Sequence, residues 1–196
     1  MKDRHFSCVV IGVSAGGLNA LTVIFHGLSA DFPIPVVVVQ HEKSDSEDLL
    51  AELLNYKTDL CVKTAEEKDT IEGGVIYICP ANYHLLIEEN RTLSLSVDPR
   101  VNHARPSIDV LFETAVSAYG KELIAVILTG ASSDGSTGLR QVMDNDGYAI
   151  VQDPATAYSR IMPEAAIKAC RFPDEIVPLE EVSARLNDLC RKGYSL

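Results

Sequence analysis

The sequence predicts an α/β protein: a doubly wound, mainly parallel sheet with helices on both faces and a small antiparallel hairpin. Short β-branched runs alternate with segments whose apolar residues recur at helical spacing, and the connections between them are short. Two strand-like runs, 36–39 and 123–128, are apolar at every position. That pattern is typical of central parallel strands buried on both faces. At 196 residues the chain is expected to form a single domain over 1–196.

The first half of the chain alternates between strand and helix patterns. The apolar run 8–11 predicts the first strand, and apolar residues three and four apart predict a helix at 17–28. Prolines lead into the all-valine strand at 36–39. The helix predicted at 46–55 should bury a stripe made of Leu49, Leu50, Leu53 and Leu54. Strands at 60–64 and 75–79, and a hairpin of 85–87 with 93–97, complete this half.

The second half continues the alternation. Ser107 should cap a helix that runs to about Tyr119, because serine is favoured at helix N-caps. The buried strand at 123–128 follows it. Further along, the pattern predicts a helix at 138–146, a strand at 148–152, a helix opened by Pro163 and ending near Ala169, and a closing helix at 180–191.

Composition excludes several classes of partner. The chain has 17 Lys and Arg residues against 28 Asp and Glu residues, a net charge of −11, with no dense basic run. Nucleic acid and anionic membranes are therefore poor partners. The 5 cysteines are scattered, which predicts small core residues in a reducing compartment. No run approaches the ~18 apolar residues of a membrane-spanning helix, so we expect a cytoplasmic protein without membrane insertion.

The most informative local feature is a serine in a glycine-rich turn. Ser14 lies in Gly12-Val13-Ser14-Ala15-Gly16-Gly17, directly after the first predicted strand. The run fits the G-x-S-x-G pattern of a nucleophile elbow. A glycine-rich turn after a first strand also opens nucleotide-binding folds, although G-x-G-x-x-G and G-x-x-x-x-G-K-[ST] are both absent. An α/β-hydrolase would place its elbow in mid-chain, with its triad in the order Ser, Asp, His.

Three polar residues follow predicted strands at the expected carboxyl edge of the sheet, where ligands collect in doubly wound folds. Ser14 and His41 follow the first two strands, and Asp134 lies in the loop after 123–128. As nucleophile, general base and orienting acid they would suit acyl transfer. Each also has an ordinary structural interpretation: a turn serine, a histidine at a strand end and a helix N-cap. Their coincidence at one edge favours the catalytic interpretation.

The other histidines carry weaker signals. His103, in the loop before the helix at 107–119, is the best spare, because that loop could reach the same cleft. His84 begins the predicted hairpin. No histidines or cysteines have metal-ligand spacing such as H-E-x-x-H, so neither a metal site nor a cofactor is expected.

Further motifs extend the pattern along nearly the whole chain. They are Val10-Ile11-Gly12-Val13-Ser14-Ala15-Gly16-Gly17, Val39-Gln40-His41, Arg105-Pro106-Ser107-Ile108-Asp109-Val110-Leu111-Phe112, Ile127-Leu128-Thr129-Gly130 with Asp134-Gly135, Gln152-Asp153-Pro154, and Met162-Pro163. In this order and spacing they resemble the catalytic domain of bacterial chemotaxis protein-glutamate methylesterases, the CheB family. The resemblance implies a serine hydrolase that removes methyl groups from γ-glutamyl methyl esters of chemoreceptors, releases methanol and often also deamidates receptor glutamines.

Carried over residue by residue, the resemblance makes Ser14 the nucleophile, His41 the base and Asp134 the acid. The backbone amide of Ala131 would be the oxyanion donor. Receptor methylation regions are usually rich in glutamate, so an acidic enzyme needs a local basic patch for docking. The candidates for that patch are Arg105, Arg160 and Lys43.

The chain also departs from the family pattern. Ala15 and Ala131 stand where many relatives carry threonine and methionine, Ile161 stands where many carry glycine, and a polar, acidic run at 42–46 follows His41. An inactive scaffold relative therefore stays an alternative. Typical members carry a receiver domain in front, whereas this chain enters its first strand at Cys8. We expect a stand-alone catalytic domain that is constitutively open or controlled by a separate protein, unless the sequence is part of a longer chain.

Overall fold

A seven-stranded parallel sheet forms the centre of the protein. The computed structural model describes residues 4–41 and 49–191. The strands are β1 (Cys8–Val13), β2 (Val36–Gln40), β3 (Cys61–Thr64), β4 (Val75–Ile78), β5 (His84–Ile87), β6 (Leu93–Ser96), β7 (Leu123–Ile127), β8 (Tyr148–Gln152) and β9 (Glu175–Val177). The helices are α1 (Gly17–Gly27), α2 (Leu50–Asn55), α3 (Ile108–Tyr119), α4 (Ser136–Asp144), α5 (Ile161–Cys170) and α6 (Leu179–Arg191).

The strand order β3-β4-β2-β1-β7-β8-β9 places β1 between β2 and β7. The register pairs Val13 of β1 with Gln40 of β2, and Gly12 of β1 with Ile127 of β7. The carboxyl ends of these three neighbouring strands therefore lie side by side. β5 and β6 pair antiparallel as a separate two-stranded sheet.

Alternating side chains of the inner strands fill two hydrophobic cores, one on each face. Along β1, Val9 and Ile11 join the core shared with α1, α2 and α6, whereas Cys8 and Val10 join the core shared with α3, α4 and α5. The hairpin packs on the second face against α3. Burial on both sides explains why β7 is apolar throughout and why β2 is apolar up to its last residue, Gln40.

The predicted fold class and the hairpin are confirmed. Two expectations were wrong. In α2 the buried stripe comprises Leu50, Ala51 and Leu54, whereas Leu49 and Leu53 are about half exposed, because the described helix is short and presents only one narrow face to the core. Cys61 is exposed on edge strand β3, so it is no core residue, although the other four cysteines are buried.

Helix ends and one edge strand also differ from expectation. α5 begins at Ile161, so Pro163 lies inside its first turn, where a missing N–H costs no helical hydrogen bond. β9 was not predicted, because three residues at a sheet edge carry too little pattern. The part of the expected helix before residue 49 lies outside the described residues.

Candidate active site

The turn that carries Ser14 is fixed by its backbone. The Ser14 N–H donates to the carbonyl of Thr129 at 2.9 Å, and the Ser14 carbonyl accepts from the Gly17 N–H at 2.8 Å. Gly16, the N-cap of α1, has φ +84°, a conformation that favours glycine. A Cβ at Gly16 would also lie 2.6 Å from the Cβ of Tyr158. Position 16 therefore favours glycine both because of its positive φ and because Tyr158 leaves no room for a side chain. The turn leaves Ser14 half-buried at the edge of the sheet.

His41 lies on the neighbouring strand end. Its backbone N–H donates to the carbonyl of Val13 at 3.0 Å, directly beside Ser14 in the chain. The His41 side chain is 15% exposed, and its Nε2 lies 2.8 Å from Oδ2 of Asp134. A carboxylate only accepts hydrogen bonds, so Nε2 carries the proton and Nδ1 is the nitrogen with a free lone pair. Within the described residues, no hydrogen bond joins the Ser14 hydroxyl to this ring.

Asp134 is fully buried and accepts several hydrogen bonds besides that of His41. Burial acts to raise the pKa of Asp134, but the bonds from His41, the Ile108 N–H and the Ser107 hydroxyl outweigh burial and lower that pKa. The carboxylate is therefore charged at neutral pH. An ionised acid bonded to one nitrogen fixes the ring orientation and stabilises the imidazolium form.

The second carboxylate beside Asp134 belongs to Asp109. The side-chain amide of Asn102 donates to both carboxylates, at 2.8 Å to Asp109 Oδ2 and 3.2 Å to Asp134 Oδ1. Asp109 Oδ1 also accepts from the Gly138 N–H in α4 at 2.7 Å. Burial raises the pKa of Asp109 to about 6, and the charge of Asp134 acts in the same direction. The site thus contains one carboxylate with a low pKa and one with a high pKa.

The first turns of α3 and α4 are each bonded by an aspartate that lies on or before the other helix. Asp134 precedes α4, yet it accepts from the N–H groups of Ile108 and Asp109 in the first turn of α3. Asp109 lies in α3 and accepts from the first turn of α4. Ser107 is the N-cap residue of α3, but its hydroxyl donates to Asp134 at 2.8 Å and makes no capping bond. Ser107 therefore occupies the predicted N-cap position but makes no side-chain capping bond, and Asp134 bonds the first turn of α3 instead of that of α4.

A close contact between α3 and β1 makes these bonds possible. A Cβ on Gly12 would lie 2.3 Å from Cγ2 of Ile108. Only a glycine lets the first turn of α3 approach the strand so closely, and that approach brings Ser107 and Ile108 within reach of Asp134. The first glycine of the G-x-S-x-G run therefore serves helix packing.

Ala131, the expected oxyanion donor, is exposed on the loop after β7. Its neighbour Gly130 is held by Ser159: the Gly130 N–H donates to the Ser159 carbonyl at 3.1 Å. In the described part of the chain the Ala131 N–H has no protein acceptor, so it is available to a ligand. Available backbone N–H groups at a sheet edge suit a developing oxyanion.

The two expected docking residues that the structure describes, Arg105 and Arg160, differ in how exposed their charges are. Arg160 is exposed, with its side chain 73% accessible, and it lies 3.5 Å from Glu164 of the same helix. Arg105 is half-buried, and its guanidinium donates to the carbonyls of Val97 and Asp98 at 2.6 and 3.0 Å. Lys43 lies outside the described residues. Arg160 is thus the described docking residue whose charge is directed mainly to solvent.

Of the other histidines, His84 is buried and hydrogen-bonded within the fold, whereas His103 is exposed. His103 is exposed in a turn, and its neighbour Asn102 reaches Asp134 instead. His84 is 2% exposed, its Nδ1 accepts from the Ser107 N–H at 3.2 Å, and its Nε2 lies 3.2 Å from the Pro99 carbonyl. The ring therefore supports the turn before α3. A histidine that opens an apolar strand is the available sequence signal, but the same pattern also marks the start of a hairpin.

The family comparison follows from this geometry. The family model described as CheB methylesterase matches residues 9–186. The chain belongs to the CheB methylesterase family. The α/β-hydrolase and nucleotide-binding interpretations are thereby set aside.

Relatives and a solved structure agree with this family. A Leptospira interrogans protein, provisionally named protein-glutamate methylesterase/protein-glutamine glutaminase, is 48% identical over 179 residues, which cover 91% of this chain and 92% of that protein. A Paramagnetospirillum magneticum protein-glutamate methylesterase/protein-glutamine glutaminase is 37% identical over 98% of this chain. The chain spans 54% of that longer relative. The crystal structure of the Thermotoga maritima CheB methylesterase catalytic domain matches with TM-score 0.89 and 33% identity, over 94% of this chain and 98% of that one.

The described residues contain neither a metal-binding cluster nor a membrane-spanning helix. Across residues 4–41 and 49–191, no group of three or more His, Cys, Asp or Glu side chains is arranged to hold a metal ion. None of the helices in those ranges combines the length and the apolar character that a bilayer span requires.

Proposed function

We propose that the protein is a serine hydrolase that cleaves γ-glutamyl methyl esters of a chemoreceptor-type protein, releases methanol, and also deamidates glutamines of that protein. The observation that carries the proposal is the 2.8 Å contact between His41 Nε2 and the buried, charged Asp134, on the strand ends that flank the Ser14 turn. Relatives named for both activities support it.

In the proposed acylation step, Ser14 Oγ attacks the γ-carbonyl carbon of the substrate. His41 Nδ1 takes the hydroxyl proton, and Asp134 stabilises the resulting imidazolium. The carbonyl oxygen becomes an oxyanion that the Ala131 N–H stabilises, a donor typically worth ~10²–10³ in rate. The intermediate then expels the methoxy group, which leaves as methanol with the proton from His41. From a glutamine, ammonia leaves instead.

Deacylation repeats the same proton transfers with water. His41 takes a proton from water as the water attacks the γ-glutamyl ester on Ser14, and it returns that proton to Ser14 Oγ as the glutamate leaves. In the ligand-free arrangement the Ser14 hydroxyl has no bond to the ring within the described residues. The proposal therefore requires that contact to form in the substrate complex, as catalytic contacts commonly do.

Removing the nucleophile tests the proposal. Ser14→Ala should abolish methanol release from a methylated receptor fragment while leaving the circular dichroism spectrum unchanged. Ser133→Ala, which removes a serine hydroxyl from an exposed position in the loop after β7, is the matched control and should stay active. Full activity in Ser14→Ala would sink the nucleophile assignment. An inactive wild type would favour the scaffold alternative.

The organisation and setting of the enzyme are part of the same proposal. We propose a single catalytic domain in the cytoplasm, acting on a protein substrate and controlled by a separate regulatory protein. Five free cysteines agree with a reducing compartment. The mass of the protein isolated from its native cells tests the single-domain organisation, since a value well above 21.3 kDa would contradict it.

A further inference from the structure

Thr129 holds the Ser14 turn with two of its polar groups. The residue follows the end of β7 and is 1% exposed. Its carbonyl accepts from the Ser14 N–H at 2.9 Å, and its hydroxyl lies 2.8 Å from the carbonyl of Ala15. Its own N–H donates to the side chain of Gln152 at 2.8 Å. Two peptide groups of the turn, those on either side of the Ser14–Ala15 peptide, are thus anchored to one buried residue.

The same hydroxyl also reaches the loop before α5. The Ser159 N–H donates to Thr129 Oγ1 at 2.9 Å. Ser159 in turn brackets Gly130: its carbonyl accepts from the Gly130 N–H at 3.1 Å, and its hydroxyl donates to the Gly130 carbonyl at 2.9 Å. The residue after Gly130 is Ala131, whose N–H is the oxyanion donor of the proposed function. One side-chain oxygen therefore connects the nucleophile turn to the segment that fixes the donor loop.

A hydroxyl suits this position because it has one proton to give and lone pairs to accept with. Here it donates to the Ala15 carbonyl and accepts from the Ser159 N–H. A serine side chain could keep both bonds. A valine side chain has nearly the same shape but neither bond, and it would leave two part-buried backbone groups without these partners.

We propose that Thr129 is a positioning residue whose hydroxyl sets the distance between the Ser14 nucleophile and the Ala131 oxyanion donor. This inference rests on the proposed function for its kinetic consequence. Reacting groups that shift by about 1 Å can lose ~10²-fold in rate even when substrate still binds. The hydroxyl does not reach the open face of the site, so its loss should act on kcat and leave KM nearly unchanged.

Three variants test the proposal. Thr129→Val removes both bonds, and Thr129→Ser retains the hydroxyl. Thr114→Val is the matched control, because the Thr114 hydroxyl also accepts from a backbone N–H, that of Ile87, and donates to a backbone carbonyl, that of Val110. Thr114 lies on α3, where it bonds the hairpin and makes no bond to the Ser14 turn.

We expect Thr129→Val to lower kcat for the methyl ester by roughly 10- to 100-fold, with KM changed less than about twofold. Thr129→Ser should restore most of the rate. Thr114→Val should lower the melting temperature comparably while keeping kcat. Hydrogen exchange should accelerate at residues 14–17 and 159–162 in Thr129→Val, and in neither of the other variants.

Two results would overturn the inference: unchanged exchange at residues 14–17 in Thr129→Val, or an equal loss of kcat in Thr114→Val. Failure of Thr129→Ser to restore exchange protection would also count against it, because the hydroxyl would then not be the cause. A wild type that releases no methanol would end the proposed function instead. In that case the exchange comparison still decides whether Thr129 holds the turn.

Discussion

At the scale of single residues, the two buried carboxylates that share the amide of Asn102 differ in pKa. Asp134 accepts from His41 and from the first turn of α3, which keeps its pKa low. Asp109 has fewer compensating donors, and burial beside the charged Asp134 raises its pKa to about 6. At pH values between the two pKa values, this arrangement keeps the ionised form on the carboxylate that contacts the histidine.

Asp109 should therefore make stability depend on pH. Its folded-state pKa of about 6 lies above the ordinary value of 3.8. The contribution of Asp109 to the free energy of unfolding is therefore fully present below pH 3.8 and is lost as the pH rises through about 6. The shift corresponds to about 3 kcal/mol. Between pH 4 and pH 8 the wild type should lose this contribution, whereas Asp109→Asn should not. We therefore expect the free energy of unfolding of Asp109→Asn, relative to that of the wild type, to rise by about that amount over this range. Urea denaturation across this range measures it.

The difference between the two proteins carries the result, because other groups titrate in both. Asp144→Asn is a suitable control, since Asp144 is exposed and pairs with Arg140 on the same helix. Its difference from wild type should not follow the rise expected for Asp109→Asn. A flat difference for Asp109→Asn as well would mean that Asp109 stays charged throughout.

At the scale of elements, two aspartates join α3 and α4. Asp134, before α4, bonds the first turn of α3, and Asp109, in α3, bonds the first turn of α4. The sequence allowed correct placement of Ser14, His41 and Asp134 at one edge, because strand ends follow from apolar periodicity. It did not reveal what Asp134 bonds to, since a capping residue was expected to serve the helix that follows it. Partners 25 and 26 positions away depend on how closely α3 approaches β1, which a single sequence does not encode locally.

Buried polar residues such as Thr129 and His84 were missed for a related reason. Thr129 stood in a recognised motif, directly after an all-apolar strand, and a polar side chain at such a position usually bonds within the fold. The sequence therefore indicates that the Thr129 hydroxyl is bonded, but not to what. Its partners, the Ala15 carbonyl and the Ser159 N–H, come from distant parts of the chain.

Ser107→Ala tests the link between α3 and Asp134. The Ser107 hydroxyl is buried and donates to Asp134, so its loss should cost about 1–2 kcal/mol of stability and raise the pKa of Asp134. We expect thermal denaturation to show the loss, and the Asp134 carboxylate, followed by NMR, to titrate at higher pH. Ser117→Ala, at an exposed position of the same helix, should change neither. An unmoved Asp134 titration in Ser107→Ala would contradict the link.

At the scale of the whole molecule, the net charge of −11 opposes the approach of a glutamate-rich substrate. Arg160 is the most exposed described candidate for local attraction, whereas the Arg105 guanidinium is engaged with backbone carbonyls. Arg105 is therefore a poor choice for a charge reversal, since the change would also release the loop that it holds.

Arg160→Glu should raise KM for a methylated receptor fragment several-fold and leave KM for a small neutral methyl ester unchanged. Arg140→Glu is the matched control, because both arginines are exposed and pair with an acidic residue four positions on. The two substrates are compared at low and at ~0.15 M salt, where screening should shrink the effect. Equal changes for both substrates would refute docking through Arg160.

The position of β1 between β2 and β7 has a consequence for how the enzyme loses its site. Proteins open locally, and the elements with the fewest buried contacts open first. The outermost strands β3 and β9 each pair with a neighbour on one side only, and they contribute none of Ser14, His41 or Asp134. Fraying at either margin can therefore proceed while the reactive groups keep their spacing. Catalytic competence is tied to the last part of the sheet to come apart, so it should persist until cooperative unfolding.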